Sequence, residues 1–184
     1  TCVTLVAWSA APATRPGSGP ATAPASKPAL PPFTPTDGYE KRSVEGWTVR
    51  VHKDLLAEEH RQLCSDALRE LEVQLYHIRR AVPAKAVQRL QEVVFWLEYR
   101  NPRQNTACYH PSRGWLEGHG YNPDKAKAVE IGNAAVFLDY ARHQPWMVLH
   151  ELAHAYHDQV LAWGQPKVKA AFEQAAKGGT YEKV

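Results

Sequence analysis

The stretch QPWMVLHELAHAYHDQV (residues 144–160) gathers three histidines, a glutamate and an aspartate inside an otherwise apolar run. Pro145 suits the first position of a helix and Gly164 suits the position after a last turn, so we predict one helix between them. At about 100° per residue, the polar side chains share one half of this helix and most apolar side chains share the other. Solvated helix faces usually carry Lys and Glu, so three His favour a functional face.

The pentapeptide His150-Glu151-Leu152-Ala153-His154 has the pattern HExxH. A spacing of four residues puts the two imidazoles about 6 Å apart on one helix face, where both can bind one zinc ion. Glu151 lies one position further round, where it can accept a proton from a metal-bound water instead of binding the metal. We therefore expect Zn²⁺ as cofactor, His150 and His154 as metal ligands, and Glu151 as general base. The alternatives are a degenerate site and a purely structural His cluster.

A catalytic zinc normally has a third protein ligand, and the same helix does not offer one. The extended motif HExxHxxGxxH fails, because His157 occupies the glycine position and Val160 the position of the third histidine. His157 and Asp158 lie about 10 and 12 Å along the helix axis from His150, too far to share one ion. They could act around the ligands or on the substrate side, although a role as polar helix face explains them better.

Glu173 is a second candidate for the third ligand, and eighteen residues separate it from His154. The pattern of the residues around it indicates a solvated glutamate. In the predicted helix PKVKAAFEQAAK it points away from the apolar side and stands four residues from both Lys169 and Lys177. Glu182 lies near the end of the chain and has no helical context.

The segment MVLHELAHAY resembles the active-site helix of the zincin metallopeptidases. This resemblance implies an α+β fold with a mixed sheet packed on the active-site helix. In zincins the strand before that helix lines the cleft as an edge strand and pairs with an extended substrate. AAVFLDY (134–140) would be that strand, unless it is an ordinary core strand.

The wider region around the motif is similar to exported, poorly characterised bacterial metallopeptidases. Those are gluzincin-like and distantly similar to the catalytic domain of anthrax lethal factor. In that group the third ligand is a glutamate several tens of residues downstream. The resemblance therefore implies that the third ligand lies beyond Val184, so that the chain stops before it. It also implies that this fragment by itself could be inactive.

Other elements follow from local patterns. The alternating GWTVRVHK (46–53) and the β-branched, aromatic VVFWLEY (93–99) are typical of strands. Asp54 can cap a long helix over residues 54–80, which Pro83 would end. Residues 101–125 are typical of a long loop, whose His110 and His119 we interpret as solvated. AVEIGNAAVFLDY (128–140) predicts one or two short strands interrupted at Gly132-Asn133.

The N-terminal fifth of the chain differs in composition from the rest. Residues 1–13 resemble the end of a secretory signal peptide, although a buried strand is the alternative. Residues 14–38 form a Pro/Ala-rich stretch that predicts a disordered linker, and a ligand for SH3-type domains is a weaker interpretation. Residues 39–184 would form the zincin-like domain. A secreted or periplasmic location follows from this arrangement.

Bulk properties exclude several classes of protein. The formal net charge is only +3, so composition gives no reason to expect a nucleic-acid partner. No apolar run is long enough to span a membrane. The three cysteines form no CxxC pair. Cys64 and Cys108 could pair in an oxidising compartment, and two buried free thiols are the alternative.

The sequence thus predicts a zinc-dependent metallopeptidase that hydrolyses peptide bonds and acts on peptide or protein substrates. The alternative is a catalytically inactive zincin-like module that binds peptide or a cell-surface polymer at the end of its linker. Glu151 beside both histidines favours the enzyme, because a module that only binds has no need of that carboxylate.

Overall fold

A computed structural model describes residues 30–178 of the chain. The chain divides into the units Thr1–Pro31 and Pro32–Val184, and the sheet and helices belong to the second. The predicted signal remnant and the linker up to residue 29 lie outside the described residues. Asn122 Nδ2 donates to the Thr34 carbonyl at 3.0 Å, and Thr36 Oγ1 donates to Asp124 Oδ2 at 2.6 Å. Contacts with the domain therefore start before Tyr39.

Five strands form one mixed sheet within residues 30–178, in the order β1-β2-β3-β5-β4. The strands are β1 (Tyr39–Val44), β2 (Trp47–His52), β3 (Phe95–Leu97), β4 (Ala107–Tyr109) and β5 (Val129–Ile131). β2, β3 and β5 are parallel, whereas β1 and the edge strand β4 run antiparallel to their neighbours. The β1–β2 hairpin turns through Glu45 (φ 51°) and Gly46 (φ 91°), the two positive φ angles that its tight turn requires. The predicted strands at 46–53 and 93–99 are confirmed as β2 and β3.

The helices of the described chain are α1 (Arg61–Ala81), α2 (Ala84–Leu90), α3 (Arg113–Gly118), α4 (Ala134–Ala141), α5 (Met147–Tyr156) and α6 (Pro166–Lys177). A π-helical turn, His157–Leu161, continues α5. Together with the mixed sheet, these helices confirm the α+β class. Across residues 30–178, no helix combines the length and the apolar character needed to cross a membrane.

The two faces of the sheet are covered differently. Val49, Phe95, Val129 and their neighbours on the same face pack into one apolar core with α1, α4 and α5. The opposite face carries Trp96 and Glu130, which are also buried. Cys64 and Cys108 are both buried free thiols, which is the unpaired one of the two alternatives that the sequence left open.

The predicted long helix from Asp54 is wrong at its start. Two short 3-10 turns, Lys53–Leu56 and Glu58–His60, precede α1. The chain becomes extended at Ala57 (φ −61°, ψ 151°), which breaks the helix between them. Asp54 is not a helix cap, because it lies inside the first 3-10 turn, where its backbone N–H donates to the ring of the capping residue His52 at 3.1 Å. α1 does end before Pro83, as predicted.

The strand prediction for 128–140 is right in its first half, β5, and wrong in its second. AAVFLDY (134–140) is not an edge strand but lies in the helix α4. An apolar run of this length suits either structure, and the residue in front of it decides. The Asn133 side chain accepts hydrogen bonds from the N–H groups of Ala135 (3.0 Å) and Val136 (3.2 Å), which starts a helix.

The segment 101–125 is not a plain loop. It contains β4 and the short helix α3, which begins where the Ser112 hydroxyl accepts a hydrogen bond from the Trp115 N–H at 3.2 Å. The three residues of β4 are too few to show a period, and tertiary pairing with β5 selects them. The edge strand next to α5 is therefore β4, which the sequence did not indicate.

Candidate active site

Helix α5 presents the HExxH residues from a well-anchored position. Val148, Leu152 and Ala155 are buried in the core beneath it. The Gln74 side chain on α1 accepts a hydrogen bond from the Val148 N–H at 3.2 Å and so ties down the start of the helix. The predicted start at Pro145 is two residues early, because α5 begins at Met147.

His150 and His154 meet at the exposed surface of α5. Their Nε2 atoms are 3.1 Å apart, and their ring centroids are 4.7 Å apart. Two imidazoles on one tetrahedral zinc, at bonds of about 2.0–2.1 Å, would hold their nitrogens about 3.3 Å apart. The separation of these two nitrogens is thus compatible with two ligands on one zinc ion, and it is also the distance of a hydrogen bond between the two rings.

The protonation of His154 suits metal binding. The His154 ring is partly desolvated by its neighbours, which lowers its pKa, and the nearby His150 and His157 lower it further, against the opposing charge of Glu151. A lower pKa favours the neutral imidazole, which is the form that binds a metal.

Glu151 points from α5 to the edge of the sheet. The residue is only 9% exposed, and its Oε2 accepts a hydrogen bond from the backbone N–H of Tyr109 in β4 at 2.8 Å. This hydrogen bond holds the carboxylate one position round the helix from His150. Within residues 30–178, no three His, Cys, Asp or Glu side chains converge as a metal site.

Glu173 does not join the histidine pair. It is exposed on α6, and its nearest cationic partner is Lys169, with Nζ and Oε1 3.8 Å apart. This i, i+4 pair is the solvated arrangement that the helix pattern predicts. Glu182 lies outside the described residues.

His157 and Asp158 take separate places in the π-helical turn. The His157 ring packs on Trp163, with centroids 4.6 Å apart. Asp158 Oδ2 accepts hydrogen bonds from the hydroxyl of Tyr109 and from Lys127 Nζ, both at 2.6 Å. Asp158 therefore joins the π-helical turn to the edge strand, and neither side chain belongs to the His150–His154 pair.

The two histidines of the segment 101–125 differ in burial. His119 is exposed and stacks on Trp115, as expected of a solvated histidine. His110 is buried, so its interpretation as solvated is wrong, and its Nε2 lies 2.6 Å from Glu130 Oε2. Glu130 supplies the partner that makes burial of this imidazole possible.

A buried ionic cluster surrounds Glu130 on the face of the sheet opposite the core. Lys125 Nζ is 2.6 Å from both Glu98 Oε1 and Glu130 Oε1. Burial alone would raise the pKa of Glu130, but the His110 hydrogen bond and the Lys125 charge outweigh it and lower the pKa to about 2. Tyr39 donates to Glu98 Oε1 at 2.6 Å. We call these residues (Tyr39, Glu98, His110, Lys125 and Glu130) the buried ionic cluster.

Tyr109 and Lys127 are the residues of this region that the sequence did not single out. Tyr109 contacts Glu151 through its backbone and Asp158 through its hydroxyl, and Lys127 pairs with Asp158. Neither belongs to a motif, and their role depends on the placement of β4 beside α5. Comparison with protein-family models, curated proteins and solved structures gives no match to this chain.

Proposed function

We propose that the chain carries the zinc-binding helix of a zincin-type metallopeptidase, gluzincin-like in character, which hydrolyses peptide bonds. The observation that carries this proposal is the convergence of His150 Nε2 and His154 Nε2 at 3.1 Å, next to a buried Glu151. The mixed α+β fold and the antiparallel edge strand beside α5 support it. The N-terminal sequence pattern adds the proposal that the protein acts outside the cytoplasm.

His150 and His154 would hold the metal, and the third protein ligand in this proposal lies outside residues 30–178. A bound zinc would lower the pKa of a coordinated water and polarise a peptide carbonyl. Glu151 takes the proton of the attacking water and passes it to the leaving amine. Its Oε2 is engaged by the Tyr109 N–H, which leaves Oε1 for the water.

Because residues 134–140 form a helix, the strand that would pair with the substrate in this proposal is β4. In the β4–β5 ladder, Thr106 and His110 use their backbone groups toward β5. Because backbone groups alternate in direction along an antiparallel strand, those of Ala107 and Tyr109 point to the outer edge. The Tyr109 N–H is already bound to Glu151 there, so the substrate would pair with the other backbone groups of this edge. The proposal places an extended peptide along this edge, within reach of α5.

The test uses the full chain, extended if zinc analysis requires it, with zinc content and casein cleavage as readouts. Glu151→Gln keeps the size and hydrogen bonding of the side chain but removes the base. We expect unchanged zinc content and a fall in cleavage of roughly 10²–10⁴-fold. Glu173→Gln is the matched control, since it removes an exposed carboxylate on α6 and leaves both readouts unchanged.

Two results would count against the proposal. Cleavage that survives Glu151→Gln removes the general base and therefore the mechanism. Zinc binding without cleavage of any peptide by the unaltered protein selects the inactive binding module instead.

A further inference from the structure

Four side chains join α5 and its π-helical turn to the edge strand β4. We call Tyr109, Lys127, Asp158 and Gln159 the Tyr109 clamp. The Tyr109 hydroxyl donates to Asp158 at 2.6 Å and accepts from Gln159 Nε2 at 3.0 Å. Lys127 Nζ lies 2.6 Å from the same Asp158 oxygen, and Gln159 Nε2 also donates to the Lys127 carbonyl at 3.3 Å.

Within the clamp, Tyr109 stays protonated and Asp158 stays ionised. Burial raises the pKa of Tyr109, and its hydrogen bond to Asp158 raises it further, so the phenol stays protonated and donates. Burial would also raise the pKa of Asp158. Hydrogen bonds from Lys127 and Tyr109 and the Lys127 charge outweigh that effect and lower it, so the carboxylate stays ionised and accepts. The Asp158 side chain is 7% exposed.

Tyr109 spans two positions on the same side of the helix. Glu151 and Asp158 are seven residues apart, so in an α-helix they differ by about 20° in direction and about 10 Å along the axis. The Tyr109 backbone N–H meets Glu151 at 2.8 Å, and its hydroxyl meets Asp158 at the far end. One residue therefore contacts α5 at the proposed base and again two turns further on.

We propose that Tyr109 is a positioning residue, which the clamp locks so that its backbone N–H holds the Glu151 carboxylate at the edge of the active site. This inference rests on the proposed function for the role of Glu151. The single N–H···O bond to Glu151 lies on the edge of a three-residue strand, where a backbone group would otherwise exchange with solvent. The hydroxyl contact with Asp158 supplies the second point of attachment that fixes the strand along α5.

The first experiment measures amide hydrogen exchange on the metal-free full chain. Tyr109→Phe removes only the hydroxyl, and Asp158→Ala removes its acceptor. In both variants we expect the amide at position 109 to exchange about tenfold faster, as loss of one hydrogen bond to a charged group allows. The Val129 amide, which donates to the Val94 carbonyl at 3.0 Å, serves as the reference for the sheet and should not change.

Tyr121→Phe is the matched control. The Tyr121 hydroxyl also makes a partly buried hydrogen bond, to the Arg103 carbonyl at 2.9 Å, but Tyr121 lies outside the clamp. Exchange at position 109 should be unchanged in this variant. An unchanged rate at position 109 in Tyr109→Phe, or an equal rise at Val129, would overturn the proposal, because the second result reports general loosening.

The second experiment measures zinc content and cleavage kinetics for the same variants. Loss of an outer partner of an active-site group should lower kcat by roughly 10–100-fold while zinc content stays constant. If Glu151→Gln abolishes cleavage but Tyr109→Phe leaves kcat unchanged, the clamp is wrong and the proposed function stands. If Glu151→Gln has no effect on cleavage, the proposed function fails, and the exchange data still decide whether the clamp orders β4.

Discussion

Two groups of histidine and carboxylate side chains lie on different sides of the same sheet and have opposite characters. On α5, His150 and His154 are exposed and their ring nitrogens face each other at 3.1 Å. In the buried ionic cluster, every carboxylate named above is already neutralised or hydrogen-bonded by Lys125, His110 or Tyr39. In the first group the two ring nitrogens hydrogen-bond to each other and have no cationic partner in the contacts described, whereas the second group contains its own cation. Residue types alone therefore do not distinguish a metal site from an internal ion pair.

The largest expected effect is on zinc affinity and tests the pair of His150 and His154 on α5. His154→Ala removes one of the two converging nitrogens, so zinc affinity should fall by more than the roughly 10–100-fold seen for outer partners of metal ligands. Because the side chain is exposed, the free energy of unfolding of the metal-free protein should change by less than about 0.5 kcal/mol. Zinc titration and urea unfolding measure the two quantities. A loss of metal-free stability without a loss of zinc would make the pair structural.

Lys125→Met tests the buried ionic cluster in the opposite way. Removing the ammonium leaves Glu98 and Glu130 buried without the charge that bridges them, which should destabilise the fold by about 3–5 kcal/mol. Zinc binding by the folded variant should not change. Lys169→Met on α6 is the matched control, because this exposed pair with Glu173 contributes less than about 1 kcal/mol. Equal stabilities for the two variants would contradict the distinction drawn between the clusters.

Lowering the pH provides another test of the buried ionic cluster. The folded pKa of Glu130, about 2, lies below its ordinary value of 4.5. Its contribution is therefore present above pH 4.5 and is lost as pH falls toward 2, and it amounts to about 3 kcal/mol. Urea unfolding of the unaltered protein and Glu130→Gln at a series of pH values measures it. The difference between the two proteins should shrink as pH falls, and a constant difference would refute the assignment.

The smallest expected effect concerns α6. Glu173→Gln removes a carboxylate that contacts only solvent and Lys169 among the described residues, so stability should change by less than about 0.5 kcal/mol. Zinc affinity should remain the same. A marked loss of zinc in this variant would identify Glu173 as the third ligand and would bring α6 into the active site.

The predictability of the fold differed between elements. The strand at 46–53 was predictable because its apolar residues alternate, and the strand at 93–99 because β-branched and aromatic residues are concentrated there. Helix α5 was predictable because its apolar side repeats at helical spacing. AAVFLDY (134–140) was not, because a short apolar run suits both structures and the cap at Asn133 decided for the helix. β4 was not predictable either, since three residues show no period.

In the candidate site, too, some features could be predicted from the sequence and others could not. The spacing of His150 and His154 on one helix by itself determined that two imidazoles converge, because four residues make about one helical turn. Only the tertiary structure decided that Glu151 is held by β4, that Asp158 meets Tyr109 and Lys127, and that His110 is buried against Glu130. These contacts join residues 20 to 49 positions apart in the chain. A local pattern specifies geometry within one helix, whereas contacts across the sheet depend on how the whole core packs.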